Sequence, residues 1–189
     1  MTELSIRRAA AQDAERIGRF LRGMPERDLL FFRQNIEDDS VVESWITQTK
    51  HRSTIPMVAD RDGNLVGLAY VQRRNVPWLR HVGDVVAIML PAMRGHGLGT
   101  RLLRDTILAA DELELEKIVA HIVIEDRDSV RVFEKLGFRH EGILLDHAKA
   151  NDGTLYDLAL MGLDIKRHRD RLAAATENTD LTRRTPNRN

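Results

Sequence analysis

From Leu90 to Leu103 the chain reads Leu-Pro-Ala-Met-Arg-Gly-His-Gly-Leu-Gly-Thr-Arg-Leu-Leu, a set of residues suited to holding an anion. An apolar run ends at Pro91, and Arg94, Gly95, His96, Gly97, Leu98, Gly99 and Thr100 follow. Leu98, Leu102, Leu103, Ile107 and Ala110 then recur at helical spacing. A strand, a glycine loop and a helix N-terminus in that order offer outward N–H groups and the positive end of a helix dipole. Arg94 and Arg101 add formal charge, so the loop is read as a pyrophosphate cradle. Its G-x-G-x-G spacing (Gly95, Gly97, Gly99) is not the G-x-G-x-x-G of dinucleotide sites, and Gly99-Thr100-Arg101 is not the Gly-Lys-Ser/Thr of a P-loop. Two other readings stay open: a strand–helix turn with no ligand, and a dinucleotide fold supported by Glu125 after the next apolar run.

Further candidates lie on either side of the loop. Asp84 stands alone in the apolar segment Val82-Gly83-Asp84-Val85-Val86-Ala87-Ile88. A carboxylate there costs free energy unless it is solvated, paired or used. Asp84 is therefore either held by a turn or by Arg80, or placed to accept a proton. Nearby His81 could share that task, since imidazole titrates near neutrality, or lie on a strand surface. Tyr156 follows Asn151-Asp152-Gly153 and carries a hydroxyl that could serve as an acid or simply reach solvent. Glu43 and the Asp38-Asp39 pair would favour a cationic ligand if they face a pocket; otherwise they form a solvated face.

The elements that must position these groups follow from the pattern. Leu4–Arg8 alternates as a strand, and Ala10–Arg22 is amphipathic, with Pro25 beyond its end. Asp28–Lys50 is expected to be helical, with Asp39 or Ser40 as an internal cap. Asp62-Gly63 between apolar runs predicts a hairpin of Ile55–Asp60 with Leu65–Val71. A strand over 82–90, a helix to about Leu113 and a buried strand over Ile118–Ile124 predict a parallel pair with a right-handed crossover. A short helix over Asp128–Leu136 stops at Gly137, and the strands Phe138–His147 and Thr154–Leu163 form a second hairpin. Residues 1–165 make one domain; 166–189 are expected to be a polar tail, disordered over Thr176–Asn189.

Bulk properties narrow the classes. The chain has 189 residues, 42 % of them hydrophobic, enough for one domain with a core. Its formal net charge is zero, which argues against nucleic acid as a partner. No apolar run is long enough to span a membrane and the N-terminus is polar, so a cytoplasmic protein, monomer or homodimer, is expected. With no cysteine, the chain can form neither a disulfide nor a cysteinyl acyl-enzyme.

Arg94-x-x-Gly97-x-Gly99 resembles the acyl-CoA loop of the GNAT family of N-acetyltransferases. A second segment, Asp126-x-x-Ser129-x-x-Val132-Phe133-Glu134-Lys135-Leu136-Gly137-Phe138, is similar to the family's Asn-x-x-Ala-x-x-Leu-Tyr-Glu-Lys-x-Gly-Phe. The element order β-α-α-β-β-β-α-β-α-β-β is also the family's, so the resemblance runs from about Leu4 to Ile165. It implies an α/β (α+β) fold: a mixed sheet of about six to seven strands with a central parallel pair, flanked by helices. It also implies acetyl-CoA as cosubstrate and direct attack by a primary amine, with the acceptor a small amine or amino acid, or a protein lysine or N-terminus. The segment Met24–Arg33 resembles the corresponding region of bacterial protein-lysine acetyltransferases.

The same resemblance implies roles for individual residues. The backbone of Val86, Ala87 and Ile88 pairs with the pantetheine arm, and an N–H near Val86 or Ala87 polarises the thioester carbonyl. The amides from Gly95 to Thr100 take the pyrophosphate, with Arg94, Asp126, Ser129 and Phe133 completing the cofactor surface. Asp84 is similar in position to a glutamate that several members use as general base. Two residues depart from the pattern. Asp126, in place of Asn, keeps the cap and loses the amide donor; Phe133, in place of Tyr, has no proton for the departing thiolate. Water, Tyr156 or unprotonated departure must replace it, the last being tolerable for a thiol of pKa near 8.5. The competing class is an acyl-CoA-binding regulatory module without catalysis.

Overall fold

Seven strands pair in the order β1-β2-β3-β4-β5-β7-β6 in the structure, a computed structural model that describes residues 4–30, 32, 39–47 and 53–170. β1 (Leu4–Arg8), β2 (Thr54–Arg61), β3 (Asn64–Arg73) and β4 (Val82–Met89) pair antiparallel with one another in that order. β5 (Lys117–Val123) is parallel to β4 and antiparallel to β7 (Leu155–Asp164), which pairs with β6 (Arg139–Lys149). The β2–β3 turn has Asp62 and Gly63 both at positive φ (50° and 79°), the primed geometry that fits the twist of a hairpin.

Helices cover both faces. α3 (Leu98–Ala109) and α4 (Arg127–Lys135) lie on one side, where Leu98, Leu102, Leu103 and Ile107 pack with Val85, Met89, Ile118 and Ile122. On the other, α1 (Ala14–Arg22) and α2 (Asp39–Thr47) bury Ile17, Phe20, Leu21, Val42 and Trp45 with Val58, Leu68, Tyr70, Val86 and Ile88. Alternation along β4 thus sends Val85 and Met89 to the α3 face, and Asp84, Val86 and Ile88 to the α1–α2 face. Phe32, Trp45 and Tyr70 form an aromatic group there, with centroids 5.0–6.0 Å apart.

Buried Asp13 joins three elements beside this layer. It accepts hydrogen bonds from Arg7 of β1 at 2.6 and 2.8 Å, from Arg16 of α1 at 2.8 Å and from the Ala10 amide at 2.9 Å. Both arginines also reach Asp60 of β2.

The expected element order is observed, with one correction. Asp28–Lys50 is not one helix: a 3-10 turn covers Glu26–Leu29, Leu30 and Phe32 stand outside any helix, and α2 spans Asp39–Thr47. No glycine or proline interrupts 26–52, so periodicity alone merges the two pieces. Phe31, Arg33, Asp38 and Lys50 lie outside the described residues, as do 171–189, which include the expected disordered tail. A helical stretch covers 165–170, with Ile165 buried, so the expected boundary after residue 165 falls within it.

Candidate active site

β4 and β5 part company midway. Their parallel pairing covers Val82↔Lys117, Gly83↔Ile118 and Asp84↔Val119 and stops there, although β4 continues to Met89 and β5 to Val123. β3 pairs with β4 through Met89 and β7 with β5 through Val123, so the two halves of the sheet stay intact on either side of a V-shaped opening. Val86, Ala87 and Ile88 all lie on the β4 edge that turns away from β5.

The glycine loop sits at the wide end of the V. A 3-10 turn over Pro91–Met93 follows β4, and Gly97, at φ 77°, is the N-cap of α3. No side chain caps that end, and the first N–H groups of a helix have no partner within it. A Cβ built on Gly95 or Gly97 would meet nothing within 4 Å. The glycines therefore leave space on the ligand side rather than relieve a clash, and both have the positive φ that side chains disfavour. Gly99 lies inside the helix against Met89. His96 is exposed, its Nδ1 2.8 Å from the Arg94 carbonyl oxygen, and Leu98 is buried.

Arg94 works within the loop. Its Nε and Nη2 donate to the Met89 carbonyl at 3.3 and 3.1 Å, and Nη2 also donates to Asp28 in the connection between α1 and α2. A cleft of about 380 Å³ opens beside this pair, lined by Arg27, Asp28, Arg94, Asp126, Arg127 and Arg131, among others. Its far wall is the start of α4, where Asp126 accepts from the Ser129 amide at 3.1 Å and the Ser129 hydroxyl at 2.7 Å. Asp126 thus performs the capping expected of it, and Ser129 is turned toward that cap. Phe133 is buried, edge-to-face with Phe138 at 4.9 Å.

On the α1–α2 face, Arg74 grips Asp84 with two hydrogen bonds, Nε to Oδ2 at 2.8 Å and Nη2 to Oδ1 at 2.7 Å. The carboxylate side chain is 16 % exposed and the guanidinium 25 %. The Asp84 hydrogen bond holds the Arg74 pKa above its ordinary value, against the lowering effect of burial. Of the partners a strand-end Asp84 could have, Arg74 rather than Arg80 holds it, because the chain returns on itself between β3 and β4, where the Arg74 amide donates to the Val82 carbonyl. His81 is exposed at the start of β4, and Glu43 is exposed on α2. Tyr156, half-buried, shares the alternation of Leu158 and Leu160 on β7 and so lies on the Asp84 face, beside the turn after β5.

One residue on this face escapes a reading of the sequence. His121 is the single polar side chain of the β5 segment Ile118-Val119-Ala120-His121-Ile122-Val123, the same signal that singles out Asp84 on β4. Its ring lies 6.5 Å from that of His147 of β6, with planes 11° apart.

A sheet opened beside a glycine-capped helix N-terminus sets a site suited to an anion next to the unpaired edge of β4. Residues 21–138 match the description "Acetyltransferase (GNAT) family". The chain belongs to that family and is an acetyl-CoA-dependent acyltransferase. It is 26 % identical over 153 residues to the L-amino acid N-acetyltransferase AaaT of Escherichia coli, covering 80 % of this chain and 92 % of that one. The fold matches a ribosomal-protein-alanine N-acetyltransferase from Brucella melitensis, with TM-score 0.75 at 24 % identity over 85 % of this chain and 99 % of the other. It also matches a phosphinothricin acetyltransferase from Sinorhizobium meliloti solved with acetyl-CoA, with TM-score 0.73 at 22 % identity over 85 % and 88 %. Among the described residues, no helix is long and apolar enough to cross a membrane.

Proposed function

We propose that the enzyme acetylates the α-amino group of a small free amino acid. The carrying observation is the Arg74–Asp84 pair: two opposite charges, partly buried and in contact, on the face of the sheet away from α3 and at the closed end of the V. A zwitterion can insert between such charges, its carboxylate meeting the guanidinium in a bidentate fork and its ammonium meeting the aspartate. A polyamine or a protein lysine has no carboxylate to match Arg74. The name of the Escherichia coli relative, an L-amino acid N-acetyltransferase, points to the same class.

In this reading the pyrophosphate of acetyl-CoA lies on the amides from Gly95 to Thr100. The arm runs along the free edge of Val86, Ala87 and Ile88, where a backbone N–H polarises the thioester carbonyl. The thioester supplies the electrophilic carbon, and the amine attacks it directly, since the chain has no cysteine to carry an acyl intermediate. On insertion the ammonium takes the place of Arg74 against Asp84, so the aspartate serves to anchor and orient it. Tyr156 is the hydroxyl assigned to protonate the departing sulfur, because Phe133 has none.

The test is thiol release from acetyl-CoA with matched acceptors: free amino acids, their carboxamides, polyamines and short peptides. Free amino acids are expected to react at least tenfold faster than their carboxamides, and Arg74→Ala is expected to erase that preference. Equal rates for acid and amide, or faster turnover of polyamines or peptides, would overturn the assignment.

A further inference from the structure

We propose that His121 is the general base of the acetyl transfer, and that His147 passes its proton on to solvent. This rests on an amine being the acceptor and is independent of which amine it is.

Placement carries the proposal. Asp84 pairs with Val119 at the last joined position of β4 and β5. Continued in register, the next residue of β5 on the same face is His121, opposite Val86, about 7 Å farther into the opening at roughly 3.3 Å per residue. His121 thus stands across the gap from the backbone assigned to the thioester, on the face from which the acceptor approaches. Asp84 lies at the closed end with both oxygens engaged by Arg74. His121 is half-buried, whereas His147, stacked 6.5 Å away on the edge strand β6, is exposed. The two rings lead from the opening to bulk water, and one bridging water suffices to join them.

Among the described residues, the other charged or titratable groups of this face include Asp84 with Arg74, Lys117 of β5 paired with Glu141 of β6, Tyr156 on β7, Glu43 on the outer side of α2 and, farther off beside α1, Asp13 and Asp60 with Arg7 and Arg16. An imidazole is the side chain of this set whose ordinary pKa suits removal of an ammonium proton near pH 7. His121 takes one proton from R-NH3+, and the nitrogen lone pair forms the C–N bond. The C–S electron pair leaves with sulfur. Nitrogen sheds two protons in all: one reaches water through His121 and His147, and the other is balanced by the proton that makes the thiol.

The experiment is the pH profile of kcat with both substrates saturating. The unaltered enzyme is expected to rise through one ionisation near imidazole's range, about pH 6–7. His121→Gln is expected to lower kcat by about 100-fold and abolish that limb, with the acetyl-CoA KM unchanged. Added imidazole is expected to restore part of the rate to His121→Ala. His147→Phe keeps a stacked ring and is expected to lower kcat by less than about tenfold while the limb persists. A profile of the unaltered enzyme with no limb in this range would overturn the proposal whether or not the variants fold. So would a folded His121→Gln that keeps both rate and limb. The amine panel reports separately on the acceptor, so either reading can fail alone.

Discussion

Asp28 and Arg94 meet across the mouth of the opening, the carboxylate from the connection between α1 and α2, the guanidinium from the glycine loop. Arg94 also holds the carbonyl of Met89, the last residue of β4. One side chain thereby fixes the loop to the strand it follows and to the opposite layer of the molecule. Arg94→Ala is expected to raise the acetyl-CoA KM about tenfold with a smaller change in kcat. Asp28→Ala is expected to raise it no more than about threefold, because Arg94 is 45 % exposed and such pairs couple by under about 1 kcal/mol. Steady-state kinetics on the two variants and the double variant measure that coupling.

Gly97→Ala separates binding from folding. The added methyl enters open space on the ligand side of the loop, at a residue with φ 77°. The backbone strain is worth about 1 kcal/mol, which lowers Tm by roughly 2–4 °C in a domain of this size. The acetyl-CoA KM is expected to rise at least tenfold, a loss far larger than the melting shift accounts for. Calorimetry and KM measured on one preparation decide it.

Asp13 gives the stability a pH dependence. Hydrogen bonds from Arg7 lead the effects that hold its carboxyl down to about 2, against the opposing effect of burial. Its unfolded value is near 3.9, so the folded state gains from its ionisation at all pH above about 4. That gain, about 2 kcal/mol, is lost as pH falls from 4 towards 2. Asp13→Asn is expected to be less stable by about this amount at pH 7 and to show a flatter loss between pH 4 and 2. Urea unfolding at several pH values checks both.

Tyr156→Phe is expected to lower kcat by less than about tenfold. A thiol of pKa near 8.5 departs readily, so a lost acid costs far less than a lost base. Stopped-time thiol assays at pH 6 and pH 9 check it, with the deficit expected to be smaller at the higher pH.

The fold was legible where residues carry conformational chemistry. Asp62-Gly63 and Asn151-Asp152-Gly153 marked both hairpins because Asp62, Gly63 and Gly153 sit at positive φ, and Asp126 keeps the cap of α4 expected of it. The glycine loop was legible for the same reason. The separation of β4 from β5 was expected only through family likeness, since Val85 to Met89 reads like any buried strand. The partner of Asp84 depended on the path between β3 and β4, which no local signal encodes. His121 went unread because its significance lies in register with a strand 35 residues earlier, at Val86.

Among the described residues, the β4–β5 ladder that joins the four-stranded and three-stranded halves of the sheet has three register pairs, Val82 to Asp84 with Lys117 to Val119. An acyl donor seated between those halves, as proposed, supplies the amides that the next rungs lack and so becomes a removable strand of the protein. At 100 times its Kd such a ligand adds about 2.7 kcal/mol to stability. The lifetime of the enzyme against heat and proteases is then tied to the acetyl-CoA supply around it, and it lasts longest where there is most acetyl to transfer.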